Sequence, residues 1–325
     1  MTDFLFLERL NNAVKQIPMP RLMYKKGLGA KGFFKPYMSF GDYTRAEIFQ
    51  SPEEAFPVSV RFSSMLGEKG TADTVRNIKG FSVKFHADEG DYDLICQSLP
   101  VYPINSGEKF FEMMEAFSKF QPFDGINSEK LWSFAVKNPE AMNCIIRLFS
   151  CRGLVDFYTE IDWYSVNTYL WENRSGKRFL VRYRWTPVKD EAEEERRDKA
   201  RAMDRIFAEF TAGFDPDVSG DRLRRQVEER NFPAFELSVQ IADYKFVSHP
   251  HYLKRTICWN DNIHSPVKAG LLKLTDMAEG GDESCDSFCF APGNTISGIE
   301  LCEDEFSGVM DYAHKIGGAE RGVYL

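Results

Sequence analysis

The 325-residue chain is long enough for one large domain or two modest ones, with a substantial buried core. Its 43% apolar and 28% charged content is that of a folded globular protein, which excludes disordered and fibrous classes. A net charge of −8 excludes a general binder of nucleic acid or of anionic membranes, because phosphate neutralisation needs a basic surface.

Aromatic residues make up 14% of the chain, 28 of them Phe, which fits either a packed β core or a pocket for a large flat ligand. No apolar run reaches membrane-spanning length, and the start MTDFLFLERLNN lacks a basic segment followed by an apolar one, so a cytoplasmic protein is expected. The seven Cys are odd in number and form no CxxC pair. Cys285 and Cys289 have no His or Cys nearby to complete a zinc site, so all seven are expected as reduced thiols.

In chain order, residues 3–16 have helical spacing, with Phe4, Leu5, Leu7, Leu10 and Val14 able to share a face; Pro18 and Pro20 then break it. The glycine-punctuated arm KKGLGAKGFF is too irregular for a long helix. PVSVRFSS alternates strictly, placing Val58, Val60 and Phe62 on one strand face and Ser59, Arg61 and Ser63 on the other; GFSVKFHA does the same with Phe81, Val83 and Phe85. Segments 107–120 and 128–150 are helical in pattern, the second starting near Ser128 as N-cap. Ser165–Trp171, a turn through Asn173–Gly176, and Arg178–Trp185 predict a hairpin. The charge-rich stretch 190–230 is predicted helical, with Met203, Ile206, Phe207 and Phe210 as its buried stripe and the charges on a solvated face. Phe235–Ala242 and Ala269–Thr275 predict further strands, and the tail is helical from Phe306 to about Lys315, where a Gly-Gly pair should end it.

An arginine between two serines on one strand face, as at Arg61, is either solvated or answers an anionic group. The motifs around it are specific in their order. PVSVRFSSMLGEKGTADTVRNIKGFSVKFHADEGDYDLICQSLPVYPI resembles the catalase core, in which an R-F-S strand, a G-S-A-D-T turn and a G-F-A-V-K-F strand lead to D-L-x-G-N-N-T-P. PRLMYKKGLGAKGFF resembles the catalase arm R-x-x-H-x-K-G-x-G-A-x-G, and NTYLWENRSGKRFLVRYRW its H-T-F hairpin. NFPAFELSVQIAD resembles a D-F-P strand, and FAPGNTISGIE followed by MDYAH resembles the last segment and helix. Together these span residues 18–313.

The resemblance implies an α+β fold: a catalase-like antiparallel β-barrel with surrounding helices and a buried haem b. The expected layout is a single domain over 1–325, with an N-terminal arm (1–50), a first barrel half (51–190) and a helical insertion (191–234). A second barrel half (235–284) and a proximal helix with tail (285–325) complete it. In size it is nearest the catalase-related peroxidases and catalase-like allene oxide synthases. By resemblance Tyr312 is the expected ligand of ferric iron, although Gly308 stands where the family has a supporting arginine; Arg321 is the candidate to replace it. Arg21 and Arg61 match propionate-binding positions. Met65, Ile95, Cys96 and Phe110 match haem-contacting ones. Ser63 matches the serine that holds the distal histidine.

The departures lie on the distal side. Tyr24 stands where the family has its distal histidine, and Gln97 where it has its distal asparagine. His86 matches a position away from the iron; His249, His251, His264 and His314 are late in the chain or proximal. Catalase chemistry needs a base of near-neutral pKa, and a neutral phenol is a poor one at pH 7. Little true catalase activity is therefore expected. The expectation is a haem-dependent oxidoreductase acting on a small organic substrate or hydroperoxide, with Tyr24, Gln97 and Ser63 at the reaction. The alternative is a non-catalytic haem- or small-ligand-binding protein. The resemblance also allows a homodimer through arm exchange; no nucleic-acid partner and no stable membrane insertion are expected.

Overall fold

The strands with strict alternation form the frame that positions everything else. In the computed structural model, which describes residues 4–15, 21–118, 126–155, 157–188, 204–278, 288–304 and 306–323, they close into a barrel. Strands β1 (Gly27–Pro36), β2 (Phe56–Ser64), β3 (Lys79–Ala87) and β4 (Gly90–Gln97) form one half. β5 (Trp163–Tyr164), β7 (Arg178–Pro187), β8 (Ala234–Asp243) and β9 (Val267–Met277) form the other. The order β7-β5-β4-β3-β2-β1-β9-β8 returns on itself through the antiparallel β7–β8 ladder from Phe179↔Asp243 to Pro187↔Phe235. Eight antiparallel strands therefore leave no open barrel edge. β6 (Tyr169–Glu172) pairs with β7 as the expected hairpin, and β10 (Ile299–Leu301) extends it.

The barrel interior accounts for much of the phenylalanine. Phe34, Phe62, Phe81, Phe85, Phe235, Trp163 and Trp185 are fully buried together. Phe34 meets Phe85 edge-on at 5.2 Å and Phe81 stacks on Trp163 at 5.1 Å, geometries favoured by the ring quadrupole. The glycine arm is no appendage: β1 lies between β2 and β9 in the sheet, so part of the N-terminal segment is barrel wall. At its bulge, a Cβ on Gly32 would sit 2.0 Å from the Lys273 carbonyl oxygen, so glycine lets the strands approach.

Helices cover the outside: α1 (Phe4–Lys15), α2 (Phe110–Ala116), α3 (Ser128–Lys137), α4 (Met142–Phe149), α5 (Arg205–Phe214), α6 (Val218–Glu228), the single turn α7 (Pro250–Leu253) and α8 (Ser307–Glu320). The helix expected over 128–150 is two, interrupted at Asn138–Pro139, where proline cannot continue the ladder. Asn127 rather than Ser128 caps the first, its side chain accepting from the Lys130 N–H. In α5 the expected buried stripe is reversed: Ile206 is 81% and Phe214 82% exposed, Phe207 and Phe210 are exposed as well, and Ala208 is the residue that packs inward. Met203 lies outside the described residues.

α8 also runs further than its sequence suggests. It continues through Gly317 and Gly318, both buried, because packing outweighs their low helix propensity. A Cβ on Gly318 would lie 2.3 Å from the Cys289 sulfur, so only glycine fits this approach. The six cysteines among the described residues are all free thiols, as expected; Cys285 lies outside them.

Candidate functional site

β2 has both faces buried, which a strand beside solvent would not show. One face fills the barrel; the other, carrying Arg61 and Ser63, looks out of the barrel into a cavity closed on its far side by α8. Counted with its open mouth, the space between protein atoms here is about 830 Å³. Segment 21–24, the ends of β2–β4, Tyr102, Phe110, Phe290 and one face of α8 line it.

Tyr24 is placed in the cavity by an unusual backbone. Its φ of 59° is one of two positive values among the described non-glycine residues and costs an aromatic residue about 1–3 kcal/mol. Both its main-chain groups are clamped: its N–H donates to the Met65 carbonyl at 3.1 Å, and Arg61 Nη2 donates to its carbonyl at 2.8 Å. The ring and Ser63 Oγ then crowd Gly80, where an added Cβ would meet them at 2.9 and 2.5 Å. Gly80→Ala is therefore expected to displace the Tyr24 ring and Ser63 together and to cost about 1–3 kcal/mol as overpacking. Urea unfolding of the apoprotein measures this, and an unchanged midpoint would mean that the ring has room to yield.

The protonation of this wall follows from its dryness. Burial, with lesser contributions from Tyr102 and Cys144, pushes the Tyr24 phenol well above its usual 10. Burial likewise raises the Tyr102 phenol and the Cys96 thiol. All three are neutral at pH 7: hydrogen-bond donors, not bases. Tyr102 Oη is buried without a hydrogen-bond partner.

Arg61 is 3% exposed; its Nη2 meets two carbonyl oxygens, its Nε has no partner, and no carboxylate among the described residues pairs with it. A buried guanidinium in that state is set for an anion. Gly27 makes the space, because a Cβ there would lie 2.3 Å from Arg61 Nη2. Arg21 and Arg321 converge at the same cavity, both donating to the Phe288 carbonyl, at 2.9 and 3.4 Å.

Of the sequence-predicted residues, Tyr24, Ser63, Arg21, Arg61, Ile95, Cys96, Phe110 and Arg321 line this one cavity. Three do not. Met65 is buried in the helical core, and its contribution is the carbonyl that holds Tyr24. Gln97 faces a smaller annex, and its amide donates to the Leu99 and Val101 carbonyls at 3.0 and 2.8 Å, which commits both its protons to its own turn. Tyr312 is absent from the lining. α8 turns Met310, Ala313, His314, Gly317 and its capping Arg321 to the cavity, and Tyr312 packs against the helical core instead.

His314, expected only as one of the histidines late in the chain or proximal, is the one imidazole among the described lining residues. Burial first, then Arg21, lowers its pKa to about 4, so the ring is neutral at pH 7; the Phe290 main chain acts in the opposite sense as a hydrogen-bond acceptor. The annex shares Tyr24, Tyr102 and His314 with the main cavity and adds Asn167 and Arg255. Arg255 donates to Asn167 and Asp304, each at 2.8 Å, while its Nη2 is buried without a partner.

The model of the catalase family matches residues 1–309 of the chain. Catalase-2 of Bacillus subtilis is 31% identical over 311 residues, covering 94% of this chain but 44% of the relative. A catalase of Methanosarcina barkeri is 28% identical over 98% of this chain and 63% of the relative. A bacterial catalase structure superposes with a TM-score of 0.84 at 23% identity, over 100% of this chain and 61% of that one; a fungal catalase does so equally over 99% and 63%. The chain thus spans less than two thirds of the length of these proteins.

Proposed function

Because the chain belongs to the catalase family, we propose that the cavity beside α8 holds a haem and that the protein is a haem-dependent oxidoreductase acting on an organic substrate or organic hydroperoxide, with little true catalase activity. The residues present fit the group. Arg61, with its unpartnered Nε and its glycine-made space, supplies a cation for a propionate, and Arg21 and Arg321 stand at the same cavity. Ile95, Cys96 and Phe110 supply apolar wall, and Ala313 and Gly317 leave the helix face low enough for a flat ring. Bound haem would supply redox-active iron for peroxide activation.

The observation that carries the substrate reading is Tyr24. The barrel wall opposite α8 presents a neutral phenol and no imidazole among the described residues, so it can donate a hydrogen bond but cannot accept a proton from peroxide at pH 7. The general-base contribution of about 10²–10⁴ is missing. Ser63 Oγ and the Tyr24 ring border the same glycine, Gly80. An organic substrate is favoured by the annex, where Tyr102 Oη and Arg255 Nη2 are buried donors awaiting oxygen acceptors. Unpaired buried donors of this kind discriminate strongly for a molecule that answers them.

The test is to purify the ferric protein, titrate it with hydrogen peroxide and then with a fatty-acid hydroperoxide, and follow the Soret band and the products. The expected result is turnover of the organic hydroperoxide well above that of free haem, with hydrogen peroxide dismutated hardly faster than by free haem. Rapid dismutation would overturn the reading of Tyr24. Consumption of neither oxidant beyond the free-haem rate would leave a haem-binding protein without peroxide chemistry.

A further inference from the structure

The haem reading leaves open which atom of this chain meets the iron. Among the described residues the cavity offers six side chains of the kinds that ligate haem iron: Tyr24, Tyr102, Cys96, Met23, Met310 and His314. Tyr312 is not one of them. At 100° per residue, Met310, Ala313, His314 and Gly317 share one stripe of α8, and Tyr312 lies about 150° round the axis from its centre. Bringing that phenol to the cavity requires a near half-turn of a helix whose Gly318 is fitted against Cys289 and whose buried Val309 is packed in the helical core.

We propose that His314, not Tyr312, is the residue of α8 that ligates the haem iron, an inference that rests on the haem reading above. His314 points from the helix stripe that closes the cavity, between Ala313 and Gly317, whose small side chains let a flat macrocycle come close. The Phe290 main chain lies near its ring and favours a proton there. A backbone carbonyl accepting from one ring nitrogen is the usual partner of a metal-bound imidazole, fixing the tautomer and leaving the other nitrogen free. The competing donors are worse placed or worse suited. Tyr24, on the segment before β1, and Cys96, on β4, do not belong to α8, and the phenols and the thiol must each lose a proton that this dry site retains. Met310 shares the stripe, but a thioether is a softer and weaker partner for ferric iron than imidazole. An imidazole binds metal through a ring nitrogen lone pair in its neutral form.

Imidazole in place of phenolate also changes what the iron does. A phenolate, as in catalases, stabilises the ferric state, whereas a neutral imidazole leaves the iron easier to reduce. The proposal therefore fits a chain whose distal wall departs from peroxide dismutation as well.

The experiment is spectroscopic. Haem-loaded wild type, His314→Ala and Tyr312→Phe are compared by haem stoichiometry, by ferric electronic spectrum and by resonance Raman of the ferrous form. Wild type is expected to show an iron–imidazole stretching band that shifts when histidine is isotopically labelled, an arm that needs no variant to fold. His314→Ala should lose that band and recover it with added imidazole, while Tyr312→Phe keeps the wild-type spectrum. Phenolate charge-transfer features in wild type that vanish in Tyr312→Phe would overturn the proposal, as would an unchanged spectrum in His314→Ala. A wild-type protein that takes up no stoichiometric haem would instead overturn the haem reading, and the ligand assignment with it.

Discussion

Haem affinity falls by about 10²–10³-fold when Arg61 is replaced by methionine. Methionine keeps roughly the length and the apolar stem of the side chain while removing the charge. Truncating one partner of a buried, hydrogen-bonded charge pair costs about 2–5 kcal/mol, and each 1.4 kcal/mol is about tenfold. Arg61 should sit near the middle of that range. It is buried on a strand, has no carboxylate of its own among the described residues, and keeps an unpartnered Nε. The same guanidinium holds the Tyr24 carbonyl, so a loss of affinity could come from a loosened segment rather than from a lost propionate partner. Tyr24→Phe separates the two, because it leaves that backbone contact in place and should change haem affinity less than about threefold. Equilibrium transfer of haem to apomyoglobin reads both affinities, with circular dichroism checking that each apoprotein is folded. An Arg61→Met protein that retains haem as wild type does would sink the propionate assignment. Arg21 and Arg321 would then carry the anion alone.

What the sequence could and could not disclose follows from where the information resides. The barrel was legible because β2 and β3 alternate strictly and because ordered motifs extend along nearly the whole chain. That Arg61, Ser63 and Tyr24 line one cavity follows from the register of β2 against β1 and from the short segment before β1. Gln97, expected at the reaction, faces the annex instead, since the carbonyls of Leu99 and Val101 come into reach of its amide once the chain turns after β4. α8 departs from expectation in its length and in which of its residues line the cavity, for one reason. Its helical phase decides which residue faces the cavity, and a Gly-Gly pair looked like its end. Gly318 is instead the point at which the helix presses on Cys289, a contact between segments that pattern alone does not contain. The spacing 310, 313, 314, 317 with small residues at two positions was the available signal for the cavity face, and it places His314 rather than Tyr312 there. The stripe of α5 failed in the opposite direction: its periodicity is real, but the hydrophobic face has no cover among the described residues.

Restoring a base at Tyr24 should produce a gain of activity. Tyr24→His should raise hydrogen peroxide dismutation by the haem-loaded protein about 10²–10⁴-fold, the usual worth of a positioned general base. The backbone favours the exchange, because histidine tolerates positive φ better than most residues and Tyr24 already adopts 59°. Space favours it too, since imidazole is smaller than phenol and Gly80 leaves the wall open beneath it. The pH profile identifies the cause. Burial disfavours the charged imidazole and lowers its pKa from about 6.5. The neutral ring is the active form, so the rate should be flat above that lowered pKa and fall as pH drops through it. Wild type should lack this limb, because its phenol does not ionise near neutrality. Turnover of an organic hydroperoxide should change less, since homolytic cleavage needs little proton transfer. If loaded Tyr24→His dismutates no faster than wild type, the missing base is not what limits the reaction. The committed amide of Gln97, which has no proton left to offer a bound oxygen, then becomes the barrier to be relieved next.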